Sequence, residues 1–255
     1  MSLPIWTPAA LSSEARALDG TAWRLVEAQH RVSTMKLVDT LAEQALLEDL
    51  IETTKPALPP ECAHLDFLLA TPFRYGAPYP HGSRFRRAGF TPGVYYAAEA
   101  VATAVAEIAF YRLLFFAESP ATPWPANPLE HTAFAVPFAT GCGLDLTEPP
   151  LDRDAALWTD PIDYGPCQAL ADAARAAGID VIRARSVRDP QGGANLALLS
   201  CRAFAANAPT LRQTWRLRLG PHGVQALCDH PDLRLDFGRD AFARDPRLSH
   251  MRWQR

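Results

Sequence analysis

Three observations predict an α+β fold. Strand-like and helix-like segments are mixed without regular βαβ alternation, a strongly apolar helical segment occupies mid-chain, and short apolar strands are bounded by Gly and Pro. With 255 residues, the chain is long enough to bury a sizeable core without disulfide staples.

In order along the chain, residues 1–60 read mostly as helix. Asp39 is placed to cap a segment whose Leu41, Ala45, Leu46, Leu47, Leu50 and Ile51 make a broad apolar face, ended by Lys55-Pro56. Residues 1–60 are therefore assigned as an N-terminal helical elaboration packed on a main domain spanning 61–255. A proline-rich connection, 56–60, leads out of it. Residues 71–93 are rich in Pro, Gly and Arg and read as an extended loop, and a loop of that length in a compact domain is commonly functional. Val94–Ala97 reads as a strand, and a helix is predicted over about 100–118, broken by Pro120, Pro123, Pro125 and Pro128. Strands are expected at 132–138 and 143–146, then an Ala-rich helix at 164–177 that stops at Gly178, a residue tolerant of φ > 0. Short strands at 179–184 and 196–199 flank a polar turn at 186–193, and a last strand covers 211–219.

Hydrophobic residues make up 48% of the chain and charged residues 21%, which argues against disorder and coiled coil. The net charge of -3 offers no steering field for nucleic acid. Apart from Lys36 and Lys55 every basic residue is arginine, so the chain is rich in forks that grip carboxylate or phosphate in bidentate fashion. Five cysteines without a C-x-x-C, and an opening without a secretory apolar region, point to a reducing cytoplasm. The apolar run at 108–117 is interrupted by Arg112 and is too short to span a bilayer. The histidines are scattered without ligand spacing, so no metal is expected. Phosphate-loop, dinucleotide-fold, zinc-protease and serine-hydrolase signatures are all absent.

The residues left to carry chemistry fall in a fixed order: Arg74-Tyr75, Gly82-Ser83-Arg84-Phe85, Tyr95-Tyr96, Glu107, Ser186 and Asn195. Glu107 stands in an otherwise small and apolar run, 103–109, where a carboxylate lies either on a solvent face or in a cleft. Ser186 opens a turn and either caps a backbone group or contacts a ligand.

This order resembles the RES domain, a family named for its Arg, Glu and Ser positions. The resemblance is strongest over residues 70–200 and rests chiefly on Gly82–Phe85 and on Tyr96, eleven residues before Glu107. It is supported by the segments 163–169 and 185–196. The resemblance implies an ADP-ribosyltransferase-like mixed sheet and a toxin that consumes NAD by cleaving the nicotinamide–ribose bond. Phosphorolysis, hydrolysis and ADP-ribosyl transfer to a protein remain open. Arg84, Glu107 and Ser186 would be catalytic. Arg24, Arg74, Tyr75, Arg84, Tyr96 and Asn195 would bind NAD, with Arg24 and Arg74 as alternatives for the family's first arginine. Arg84 suits a pyrophosphate oxygen pair, and Tyr96 offers a ring to the cationic nicotinamide. Glu107 suits the oxocarbenium character that develops as the bond breaks. The implied partner is a small Xre-like antitoxin, docking an acidic segment on the arginine-rich loop Arg84–Arg87, and self-association is left open. The alternative from another class is a module that binds a nucleotide or a partner without turnover.

Overall fold

The computed structural model describes residues 6–28, 32–74 and 79–255. Its strands are β1 (Arg16–Glu27), β2 (Tyr95–Ala98), β3 (Leu129–Asp145), β4 (Val181–Arg185), β5 (Ala194–Leu198), β6 (Leu211–Gly220), β7 (Gly223–Cys228) and β8 (Leu233–Gly238). The helices are α1 (Pro8–Ser13), α2 (Val32–Met35), α3 (Leu41–Thr54), α4 (Phe67–Ala70), α5 (Val101–Glu118), α6 (Ala155–Trp158) and α7 (Gly165–Ala176). Mixed helices around a strand core make this the α+β fold that the sequence predicts.

The strands join in the order β1-β2-β5-β4-β3-β6-β7-β8, and β1 also pairs with β3. The added pairing closes the first five strands on themselves. Strand β3 makes this possible by its length. One edge carries β1, from Leu18 opposite Thr140 to Glu27 opposite His131. The other edge is shared, with antiparallel β6 over Leu129–Ala135 and parallel β4 over Gly143–Asp145. The two strands expected at 132–138 and 143–146 are therefore one continuous strand.

The N-terminal assignment needs correction. Residues 16–27 form a strand of the central sheet, so residues 1–60 are not mostly helix. The segment RALDGTAWRLVE carries good helix formers alongside Thr21, Trp23 and Val26, and pairing along β3 overrides local propensity. Helix α3 does form, capped by Thr40 rather than Asp39, in a reciprocal box with Glu43. Its apolar face does not pack on the core, since none of its residues is buried and Leu41 is 74% exposed.

The core has three parts. Under α5, Phe110, Leu113 and Val105 pack on Trp215, Leu217 and Phe242 from the C-terminal third. Under α7, Leu170 and Ala174 meet Leu144, Ile182 and Ala197. On the opposite side Leu69, Phe73 and Tyr95 meet Phe134, Val136 and Leu198. Fully buried side chains of this kind contribute about 1.5–3 kcal/mol each, so α5 is among the best anchored elements. Among the described residues no helix is long and apolar enough to cross a membrane.

Candidate active site

Thr103, Glu107 and Tyr111 follow one another at one-turn spacing and share a face of α5. Thr103 is buried, Glu107 half-buried and Tyr111 exposed, so this face climbs from the core to the surface. Glu107 does not simply face solvent. Its Oε1 accepts hydrogen bonds from Ser186 Oγ at 2.7 Å and from Asn195 Nδ2 at 2.5 Å. Ser186 directly follows β4, and Asn195 lies on β5 between Ala98 of β2 and Ala184 of β4. Helix, strand and turn thus converge on one carboxylate. Hydrogen bonds to a charged acceptor are short and strong, and here both fall on one oxygen. The other oxygen, Oε2, has no hydrogen-bond partner among the described residues.

Ser186 is buried, and its hydroxyl is fully committed. The proton goes to Glu107, and the oxygen accepts the backbone N–H groups of Arg188 at 3.2 Å and Asp189 at 3.0 Å. The residue thereby holds the carboxylate and its own turn in place. A second tie fixes the same turn to α5: Thr103 Oγ1 donates to Asp189 Oδ2 at 2.7 Å, and Gly193 N–H donates to the same oxygen at 3.1 Å. A Cβ on Gly193 would stand 2.1 Å from Thr103 Oγ1 and 2.6 Å from Asp189 Oδ2. Gly193→Ala is therefore expected to force this tie apart and to cost about 1–3 kcal/mol of folding stability by overpacking. Urea denaturation measures this, and an unchanged midpoint would show that the turn relaxes freely.

The segment around Arg84 is a tight turn rather than a loose loop. Gly82 has φ +69°, a left-handed conformation suited to glycine, and Ser83 and Arg86 bond back to each other. Tyr96 clamps the turn from β2: its phenol oxygen accepts the Phe85 N–H at 2.9 Å and shares a 2.8 Å hydrogen bond with Ser83. Burial pushes that phenol up to about 12, so it stays neutral at physiological pH. Gln168 of α7 clamps the turn from the other side through the Ser83 and Arg86 carbonyls. Arg84 itself donates to the carbonyls of Trp158 and Asp160, both at 2.8 Å, and lies over the Tyr164 ring at 4.7 Å. Arg86 reaches Thr91 and the Tyr79 ring, and Arg87 pairs with Asp172.

Arg24 and Arg74 stand in different surroundings. Arg74 is engaged by Glu52 and by the Pro56 carbonyl, at the end of α3 and away from the Glu107 cluster. Arg24, on β1, donates to the Tyr96 carbonyl at 2.9 Å and lies over the Tyr95 ring at 5.1 Å. It has no carboxylate partner among the described residues, and burial lowers its pKa. Tyr75 lies outside the described residues. The structure therefore joins Glu107, Ser186 and Asn195 by direct bonds, links Arg24, Tyr96 and the Arg84 turn by others, and sets Arg74 apart. Thr103, Asp189, Gln168 and Tyr164 escaped notice in the sequence. Gln168 and Tyr164 fall within 163–169, a segment already marked as distinctive, whereas nothing in the spacing singles out Thr103.

No curated protein matches the chain. A solved structure, that of the M. tuberculosis MbcT–MbcA toxin–antitoxin complex, is similar to it with a TM-score of 0.47 and 15% identity. The match covers 83% of this chain and 91% of that one. The family model of the RES domain matches residues 58–220, more than half of the sequence and all of the segment from the Arg84 turn to Asn195. The chain belongs to the RES domain family.

Proposed function

We propose that this protein is an NAD-consuming toxin of a toxin–antitoxin pair, cleaving the bond between nicotinamide and ribose. The observation that carries this reading is the Glu107 carboxylate, held on one oxygen by Ser186 and Asn195 with the other left uncommitted. A group of that kind suits a reaction in which positive charge spreads onto the ribose ring as a cationic leaving group departs. Such a leaving group becomes neutral on departure and needs no general acid, so positioning and charge stabilisation are the main demands. Arg24, partly buried and without a carboxylate partner among the described residues, is the arginine best suited to the dinucleotide's phosphates. Arg74, already paired with Glu52, is the weaker candidate. Arg84, fixed to the 158–160 carbonyls, presents its remaining N–H groups from a rigid turn.

Family membership further suggests control by a small Xre-like antitoxin that covers this cleft. Purified protein incubated with NAD, with and without phosphate, tests the activity. Release of one nicotinamide per NAD lost is expected, and the acceptor is identified by whether phosphate becomes attached to the ribose. Undiminished NAD under both conditions, at protein concentrations comparable to the substrate, would overturn the reading.

A further inference from the structure

The family match ends at residue 220, yet side chains from beyond it reach the turn that follows Ser186. Arg188 lies two residues after Ser186. Its guanidinium meets Asp245 at 2.6 Å, with both side chains almost wholly buried. The same guanidinium donates to the Pro161 carbonyl at 2.7 Å and to the Tyr164 hydroxyl at 3.4 Å. Arg247 closes on Asp245 with two bonds, at 3.0 and 2.8 Å, and also reaches the Pro161 carbonyl. Phe110 of α5 lies beneath both guanidinia, 4.1 Å from Arg188 and 5.4 Å from Arg247. Tyr164 is thus enclosed by Arg84 over its ring and by Arg188 and Arg247 near its hydroxyl.

The charges around Tyr164 come from every neighbouring element. Arg84 comes from the 83–86 turn, Arg188 from the turn after β4, and Arg247 and Asp245 from the C-terminal segment. Glu107 and Tyr111 come from α5, and Asp160 and Asp163 from the connection before α7. Asp245 is bonded to Arg188 and Arg247, so its charge is divided between them. Burial opposes ionisation of the Tyr164 phenol, but Arg188, Arg84 and Arg247 outweigh it and bring the phenol below its ordinary value. The phenol thus sits against three cationic side chains, an arrangement that favours its ionised form.

We propose that Tyr164 is the proton-accepting catalytic residue of this site. The role rests on the NAD-cleaving reading above. As phenolate, Tyr164 takes the proton from the hydroxyl of the acceptor, water or hydrogen phosphate, while the acceptor oxygen forms its bond to the ribose C1. The C1–N bond breaks in the same event, its electron pair passes to the ring nitrogen, and nicotinamide leaves neutral. The Tyr164 proton then returns to solvent. Asp245 and Arg247 are positioning residues in this scheme, because they hold Arg188 against the phenol.

The test compares the wild-type protein with Tyr164→Phe by two readouts. An ultraviolet titration of tyrosinate absorbance is expected to show one of the six tyrosines ionising ahead of the others in the wild type, and this phase is absent from the variant. The kcat for NAD loss is expected to rise with pH through the same ionisation. The variant loses that rise together with about 10²–10⁴-fold in kcat, the usual contribution of a positioned acid–base group, while KM stays nearly constant. A variant that keeps the pH-dependent rise, with kcat near the wild-type value, overturns the proposal. A wild type that consumes no NAD overturns the activity itself, and the tyrosinate titration tells that failure apart, because it reads Tyr164 without turnover.

Discussion

Glu107→Gln is expected to reduce NAD turnover by about 10²–10³-fold, the usual effect of removing one preorganised charge-stabilising group. Glutamine keeps a carbonyl oxygen for the Ser186 and Asn195 hydrogen bonds, so the anchored half of the side chain is preserved. Only the uncommitted oxygen changes, from a bearer of negative charge to an amide. The loss should therefore appear in kcat, with KM and the urea midpoint close to wild type. Nicotinamide release and denaturation on the same preparations separate the two effects. Turnover within a few-fold of wild type would remove Glu107 from the chemistry.

The second large effect concerns stability. Asp245→Ala removes the carboxylate from between Arg188 and Arg247 and leaves a guanidinium buried without a counter-charge. Breaking a buried pair in this way costs about 3–5 kcal/mol, a large share of the stability of a typical domain. The pair also makes stability depend on pH. Burial opposes ionisation of Asp245, but hydrogen bonds from Arg247 and the charges of Arg188 and Arg247 hold its carboxyl below the usual carboxylate range. A carboxyl whose folded pKa is depressed contributes stability above its unfolded value, and that contribution is lost as pH falls through the folded value. Urea midpoints measured down the acid range should fall for the wild type and lose part of that slope in Asp245→Ala. Parallel slopes in the two proteins would show that Asp245 is not the group responsible.

Much of the candidate site was legible because it lies on elements with strong local signals. The apolar pattern around Glu107 defines helix α5, and Gly178 ends α7 where a left-handed residue is needed. The short strands β4 and β5 follow from apolar runs on either side of a turn marked by Ser186, Pro190 and Gly193. The order of Arg84, Tyr96, Glu107, Ser186 and Asn195 carries the family resemblance, and the family match over 58–220 agrees with it. Strand β1 was not legible, because a segment with helix-forming residues becomes a strand only when β3 offers a long edge. The exposed face of α3 was misread for a related reason. Apolar periodicity predicts a helix, but it does not say whether anything lies against it.

By itself, then, the sequence determined the α+β class, the principal helices, the family and the set of polar residues from which a site is built. The tertiary structure alone decided which of them meet. It turned Glu107 toward Ser186 and Asn195, bound the Ser186 hydroxyl so that it serves as a brace, and paired Arg74 with Glu52 while leaving Arg24 without a carboxylate among the described residues. It also brought Asp245 and Arg247 beside Arg188, 57 positions from Asp245 along the chain. The physical reason is that periodicity and turn chemistry act over a few residues, whereas charge pairing and burial depend on distance in space.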